Sequence, residues 1–240
     1  MIELKELTKR YEDGILALDH VSYTIQPGEI FCLLGANGAG KTTTVNILLD
    51  FIQPTSGSAF LNGHDCNRFP LEAKKYVSYV SENVQLYGMF TARQNLRFFA
   101  ELGGKKGLKN QELDDVMRSV GLPEKALTMR LKNFSKGMRQ KLGIAIALIK
   151  DPPAILMDEP TSGLDPRSAN EFLDQLRKLR ERGKAILMTT HDIFRAKQIA
   201  DRVGIMKQGR LVAIRKRDEF KHADLEQIYL REMEAAENVA

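Results

Sequence analysis

The chain has 240 residues, 43% of them hydrophobic and 28% charged, with 36 basic against 31 acidic side chains for a net charge of +5. That composition supports a substantial core in one large or two small domains and excludes large-scale disorder, while two cysteines, Cys32 in an apolar run and Cys66 in an expected polar loop, exclude a disulfide framework and a cysteine-rich metal site. The start lacks a signal-peptide core, and the longest apolar run, residues 142–149, is far short of the roughly 20 residues that span a bilayer, so a cytosolic chain that does not cross a membrane by itself is expected.

In chain order, residues 2–7 and 17–25 alternate as strands do, with Pro27-Gly28 as a turn, which predicts a small antiparallel sheet at the N-terminus. Residues 29–34 read as a short buried strand, and residues 42–49 as a helix with apolar side chains on one side. Pro54-Thr55-Ser56-Gly57 breaks the pattern, and residues 58–63 resume it as a hairpin strand. From about 91 to 150 the periodicity is helical, interrupted by Gly103-Gly104, Gly107 and Gly121-Leu122-Pro123, which suggests an inserted helical subdomain. Strand and helix then alternate: 154–157, 167–182, 185–190, 191–201 and 203–207, the signature of a parallel sheet with right-handed crossovers. Gln208-Gly209 turns into a last strand at 210–214, and a charged helical tail follows from 218 to 240, with Leu225, Ile228, Tyr229 and Leu230 as a narrow apolar stripe. One domain over 1–217 and a tail over 218–240 are therefore expected.

Between the strand at 29–34 and its following helix lies Gly35-Ala36-Asn37-Gly38-Ala39-Gly40-Lys41-Thr42-Thr43, which fits the Gly-x-x-x-x-Gly-Lys-Ser/Thr phosphate loop in the required strand–loop–helix order. Its glycines let backbone N–H groups curl around phosphate oxygens, the helix N-terminus adds partial positive charge, and Lys41 reaches the β- and γ-phosphates. Thr42 is left to offer a hydroxyl to Mg²⁺. A metal also needs a carboxylate, and Asp158-Glu159 supplies one at the carboxyl end of a buried strand, the edge at which parallel sheets bind ligands. Asp158 is suited to holding Mg²⁺, and Glu159 to polarising the water that attacks the γ-phosphate. At Ser135-Lys136-Gly137 a hydroxyl, a glycine and the start of an apolar helix coincide; taken alone the segment reads as a plain helix cap.

Together these elements resemble the ATP-binding cassette family. Asn133-Phe134-Ser135-Lys136-Gly137-Met138-Arg139-Gln140 is similar to its signature sequence, usually Leu-Ser-Gly-Gly-Gln: Ser135 and Gly137 match, whereas Phe134, Lys136 and Met138 depart from it. Ser162-Gly163-Leu164-Asp165 resembles the family's D-loop, His191 its switch histidine, and Tyr11 the aromatic residue that stacks on adenine. In residues 77–83 the family's glutamine is replaced by Glu82, to which the resemblance carries the Mg²⁺-sensing role.

The resemblance implies a phosphate-loop α/β core of the RecA-like type, with a parallel sheet, an antiparallel β flank and an α-helical insert. It implies a cytosolic ATPase subunit of a transporter, using ATP and Mg²⁺, with Glu159 and His191 catalytic and with Thr42, Asp158 and Glu82 around the metal. The ATP-binding set it implies is Tyr11, Gly35, Asn37, Gly38, Ala39, Gly40, Lys41, Thr42 and Thr43, completed from a second copy by Ser135, Gly137 and Asp165. Expected partners are a transmembrane permease subunit and an identical or paralogous ATPase, which places the chain at the inner face of the cell membrane. The segment 86–90, apolar for a loop, suits the permease contact, with core packing as the alternative. The motif details fit exporters with separate permease chains, import or mechanical work on a membrane complex being the alternatives. A soluble relative acting on ribosomes or DNA is a further one. The basic clusters at Lys105, Lys106 and Lys109 and at Arg215, Lys216 and Arg217 lack interleaved aromatics, so no nucleic-acid partner is expected.

Overall fold

The computed structural model describes residues 1–220 and 225–235. Strands β1 (Ile2–Arg10), β2 (Leu16–Ile25) and β3 (Ile30–Leu34) lead into helix α1 (Lys41–Leu48), and β4 (Ser56–Leu61), β5 (His64–Asp65), the short α2 (Pro70–Ala73) and β6 (Val77–Val80) follow. The helical stretch holds α3 (Ala92–Leu102), α4 (Asn110–Ser119) and α5 (Lys136–Lys150). The chain then alternates through β7 (Ala154–Asp158), α6 (Pro166–Glu181), β8 (Ala185–Thr190), α7 (Ile193–Ile199) and β9 (Arg202–Lys207), before β10 (Arg210–Lys216), α8 (Arg217–Phe220) and α9 (Leu225–Ala235).

Two sheets organise the molecule. The first runs β2-β1-β4-β5, all antiparallel; the second runs β10-β9-β3-β8-β7-β6, parallel except for the edge strand β10. The parallel strands are apolar on both faces, as expected for a sheet covered on both sides. Ile30, Cys32 and Leu34 of β3 point into a core shared with α5, α6 and α7, whereas Phe31 and Leu33 join α1 and the antiparallel sheet on the opposite face. Phe31 stacks on Tyr23 at 4.7 Å between ring centroids, and a Cβ at residue 204 would stand 2.6 Å from its ring edge, so Gly204 makes room for the ring.

Register sets where the strands stop. Leu34 pairs with Thr190 and Ile205, and Asp158 pairs with Thr189, so the carboxyl ends of β3, β7, β8 and β9 finish side by side. The loops after β3, β7 and β8 therefore converge. The helical stretch packs on α5: Leu96 and Ala100 of α3 and Leu113 and Met117 of α4 share one core with Leu142, Ile144 and Ala145. α3 opens with a capping box in which Thr91 and Gln94 satisfy each other's backbone N–H groups.

Two expectations change. The helix expected to begin at His191 starts at Ile193, because the Asp192 side chain accepts the Arg195 N–H and caps it there, leaving His191 in the preceding turn. Cys66, expected in a polar loop, is buried beneath the antiparallel sheet, and burial pushes its thiol up to about 12. Of the apolar stripe in the tail, Leu225 is buried, Ile228 and Tyr229 pack on the core and Leu230 is exposed; residues 221–224 and 236–240 of that predicted helix lie outside the described residues.

Candidate functional site

Gly35 follows β3 and donates its N–H to the Thr190 carbonyl at 3.3 Å, which ties the phosphate loop to the end of β8. Gly40 has φ +104, and a Cβ there would stand 2.5 Å from the Ala17 carbonyl, so only glycine fits. Asn37 and Gly38 are exposed at the loop's crest, Ala39 is buried beneath it, and Thr43 is half-buried in the first turn of α1. The Lys41 side chain is buried. Its ammonium donates to the carbonyls of Gly35 at 2.7 Å and Ala36 at 3.1 Å and lies 3.4 Å from Glu159 Oε1. Thr42 Oγ1 donates to Asp158 Oδ1 at 3.3 Å.

The other wall is built by the ends of β7 and β8. Asp158 is buried, and Oδ1 also accepts the hydroxyl of Thr189. Glu159 takes φ +46, a left-handed conformation uncommon for a residue with a side chain and a form of strain that clusters at functional sites. Its N–H donates to both the carbonyl and the hydroxyl oxygen of Thr189, at 3.2 and 3.0 Å, which holds it there. One carboxylate oxygen meets His191 Nδ1 at 3.0 Å; the other, Oε1, is buried near the Lys41 charge but accepts no hydrogen bond. Thr189 is thus a site residue that pattern reading passed over. Its signal was present, as two hydroxyls, Thr189 and Thr190, ending an otherwise apolar strand.

The remaining expected residues stand apart. Ser135 caps α5 by accepting the Met138 N–H at 3.2 Å, and a Cβ on Gly137 would stand 3.2 Å from Ser168. Asp165 caps α6 by accepting the Ser168 N–H at 3.0 Å, and the Ser168 hydroxyl, then that N–H, hold its carboxyl below the ordinary value. Tyr11 is partly exposed, with the Lys9 ammonium 5.2 Å from its ring centroid. Among the described residues, no hydrogen bond or ion pair joins Ser135, Gly137 or Asp165 to the phosphate loop. Glu82, expected beside the metal, makes no hydrogen bond to Thr42 or Asp158 among the described residues: its Oε1 accepts from Ser162 Oγ at 2.8 Å and lies 3.8 Å from Lys136 Nζ. Gln140, also unforeseen, is buried and donates to the carbonyls of Ser81 and Glu82 at 3.2 and 2.6 Å.

The donor set fits a magnesium nucleotide. Among the described residues no cluster of three His, Cys, Asp or Glu side chains could hold a metal unaided. One carboxylate and one hydroxyl, Asp158 and Thr42, suit Mg²⁺, which keeps waters and relies on substrate phosphates for the rest of its shell. Glu159 Oε1, buried 3.4 Å from the Lys41 ammonium, accepts no hydrogen bond and keeps acceptor capacity beside that cation.

Comparison with known proteins agrees. Residues 18–162 match the family described as ABC transporter. The chain is 37% identical over 215 residues to YhcH of Bacillus subtilis strain 168, an uncharacterised ABC transporter ATP-binding protein, covering 89% of this chain and 69% of that one. It is 36% identical over 222 residues to YbhF of Escherichia coli K12, described as a probable multidrug ABC transporter ATP-binding protein, covering 92% of this chain but only 38% of that one. The dimeric post-hydrolysis structure of the ATP-binding cassette MJ0796, bound to ADP and Pi, superposes with a TM-score of 0.81 at 29% identity over 90% of this chain and 99% of the other. Strand–loop–helix geometry, acidic strand end and family match converge: the chain belongs to the ATP-binding subunits of ABC transporters.

Proposed function

We propose that this chain hydrolyses ATP at two sites shared by a head-to-tail pair of copies, and that the cycle energises transport through a separate membrane permease, in the direction of export. The observation that carries the reading is the setting of Glu159, held at φ +46 between His191 and the Lys41 ammonium with one buried oxygen free to accept. A carboxylate so placed takes a proton from water as it attacks the γ-phosphate. His191, with Nδ1 protonated, orients that carboxylate and presents its other ring nitrogen toward the phosphate.

Lys41 must exchange its bonds to the loop carbonyls for phosphate oxygens when ATP enters, while the loop N–H groups and the start of α1 receive the remaining anionic charge. Thr42 and Asp158 would hold Mg²⁺, which when bound neutralises phosphate charge. Tyr11 offers an exposed ring for the adenine. Ser135 and Asp165 spend their side chains on helix caps with no hydrogen bond to the phosphate loop among the described residues, and in this reading a second copy brings them and Gly137 to each site, an arrangement supported by the dimeric MJ0796 cassette with its ADP and Pi.

Among the described residues no helix is long and apolar enough to cross a membrane, and in this reading the path across it lies in a separate permease. The exposed aromatic cluster of Tyr87, Phe90 and Phe98, with Met89 beside it, is the surface we assign to the permease, at the cytoplasmic side. Export is supported by a relative in Burkholderia pseudomallei described as Nod factor export ATP-binding protein I, 37% identical over 88% of this chain and 69% of that one. Glu159→Gln should abolish phosphate release yet accumulate an ATP-dependent dimer in gel filtration. Hydrolysis by that variant at the wild-type rate would overturn the assignment of Glu159.

A further inference from the structure

Two of the departures from the family pattern, Glu82 and Lys136, meet in space. Lys136 is the first residue of α5, the helix end at which aligned peptide dipoles disfavour a cation. Its ammonium is drawn away from that end toward Glu82, with Nζ 3.8 Å from Oε1. The same oxygen accepts the Ser162 hydroxyl at 2.8 Å, and the Ser162 N–H donates to the Glu159 carbonyl at 3.1 Å. Gly163, at φ +66, leaves the space that the lysine crosses, since a Cβ there would stand 3.2 Å from Nζ. Gln140 ties the backbone of Glu82 to α5 from the buried side. A continuous path therefore runs from the start of α5 through Lys136, Glu82 and Ser162 to the turn that carries Glu159.

We propose that Glu82 is a positioning residue that acts through Lys136 and Ser162, locking the anion-binding start of α5 in register with the Glu159 turn of the same chain. The two ends of this latch serve different nucleotides in the paired arrangement, so its catalytic consequence rests on that reading; the latch itself does not. A charge pair suits the task because it is adjustable. Both side chains are partly exposed and therefore screened, which makes the contact modest in strength and quick to release. Glutamine at 82 would keep an acceptor for Ser162 while losing the attraction to the ammonium, so E82Q isolates the charge.

The test compares E82Q, K136Q, the double variant and the charge-swapped E82K/K136E pair. Hydrogen exchange of the nucleotide-free chain reads the latch directly. Residues 134–140 and 160–165 should exchange about two- to fivefold faster in each single variant, the range that an exposed ion pair supports. The double variant should be no faster than the singles, and the swapped pair should recover part of the protection. In ATP hydrolysis kcat should fall by a similar factor in both singles, with KM and the Mg²⁺ requirement unchanged. Unchanged exchange, effects that multiply in the double variant, or a raised Mg²⁺ requirement in E82Q that persists when Lys136 is also replaced would overturn the proposal. The paired reading has its own arm: Glu159→Gln without an ATP-dependent dimer defeats it whatever the exchange data show.

Discussion

At the scale of single residues, Thr189 decides whether the acidic end of β7 is usable. It gives its hydroxyl proton to Asp158 and receives the Glu159 N–H, so one buried oxygen ties the Asp158 carboxylate to the backbone of Glu159. Valine has nearly the same shape but neither bond. Thr189→Val should therefore remove one of two partners from both Asp158 Oδ1 and the Glu159 N–H, leaving the Thr42 hydroxyl and the Thr189 carbonyl, and lower stability by about 0.5–1.5 kcal/mol. Loosening the Asp158 carboxylate and the Glu159 turn should reduce kcat about tenfold or more. Phosphate release and a thermal melt measure the two effects separately, and a variant with a lowered melting temperature but full turnover would remove Thr189 from the site. The contrast between Thr189 and Lys41 shows what pattern reading can reach. Lys41 stands in a loop whose glycine spacing has one use, so its place was legible; Thr189 becomes a site residue only through the register that sets it opposite Asp158. The contacts of Glu82 were not legible for a related reason, because its partners, Ser162 and Lys136, come from segments 80 and 54 residues away in sequence.

Among elements, helix starts carry much of the design, since Ser135, Asp165 and Asp192 each cap the helix that follows a functional segment. The expected anion-binding serine and the expected D-loop aspartate are thus caps as well, and the two roles share one geometry. Asp165 permits a test by pH. Its folded carboxyl titrates below the ordinary value of 3.8 because the Ser168 hydroxyl and N–H favour the charged form. A depressed carboxyl contributes stability that is present above the unfolded value and disappears as pH falls through the folded one. Asp165→Asn keeps a capping oxygen and removes the charge. Wild type should melt higher than the variant near neutral pH, and the gap should close as pH falls below about 4. A gap that does not depend on pH would assign the difference to the cap geometry alone. Element types were readable because periodicity and breakers agree: Gly103-Gly104 ends α3, and Gly121 follows α4. The pairing of β4 with β1 was not readable, since it joins segments separated by the entire phosphate loop and α1.

For the molecule as a whole, the separation of the two half-sites is the consequential feature. In the proposed pairing Lys41 and Glu159 form one half and Ser135 and Gly137 the other; among the described residues no hydrogen bond or ion pair joins Ser135 or Gly137 to the phosphate loop. If a complete site takes one half from each of two copies, two differently disabled chains should repair each other. Lys41→Met removes the phosphate-binding cation at nearly constant volume. Ser135→Asp retains a good helix cap but places a negative charge where the partner's phosphate would lie. Each variant alone loses both sites of its own pair. In an equimolar mixture about half of the pairs combine the two variants, and by two-fold symmetry each such pair holds one site with an intact loop facing an intact Ser135. The mixture should therefore recover about a quarter of the wild-type rate per chain, given equal affinities within and between variants. The recovered rate should also fall on dilution, as pairs dissociate. A mixture no more active than the mean of the two variants would mean that each chain works with its own residues alone, and the head-to-tail arrangement would have to be abandoned even with the phosphate loop and Glu159 correctly placed.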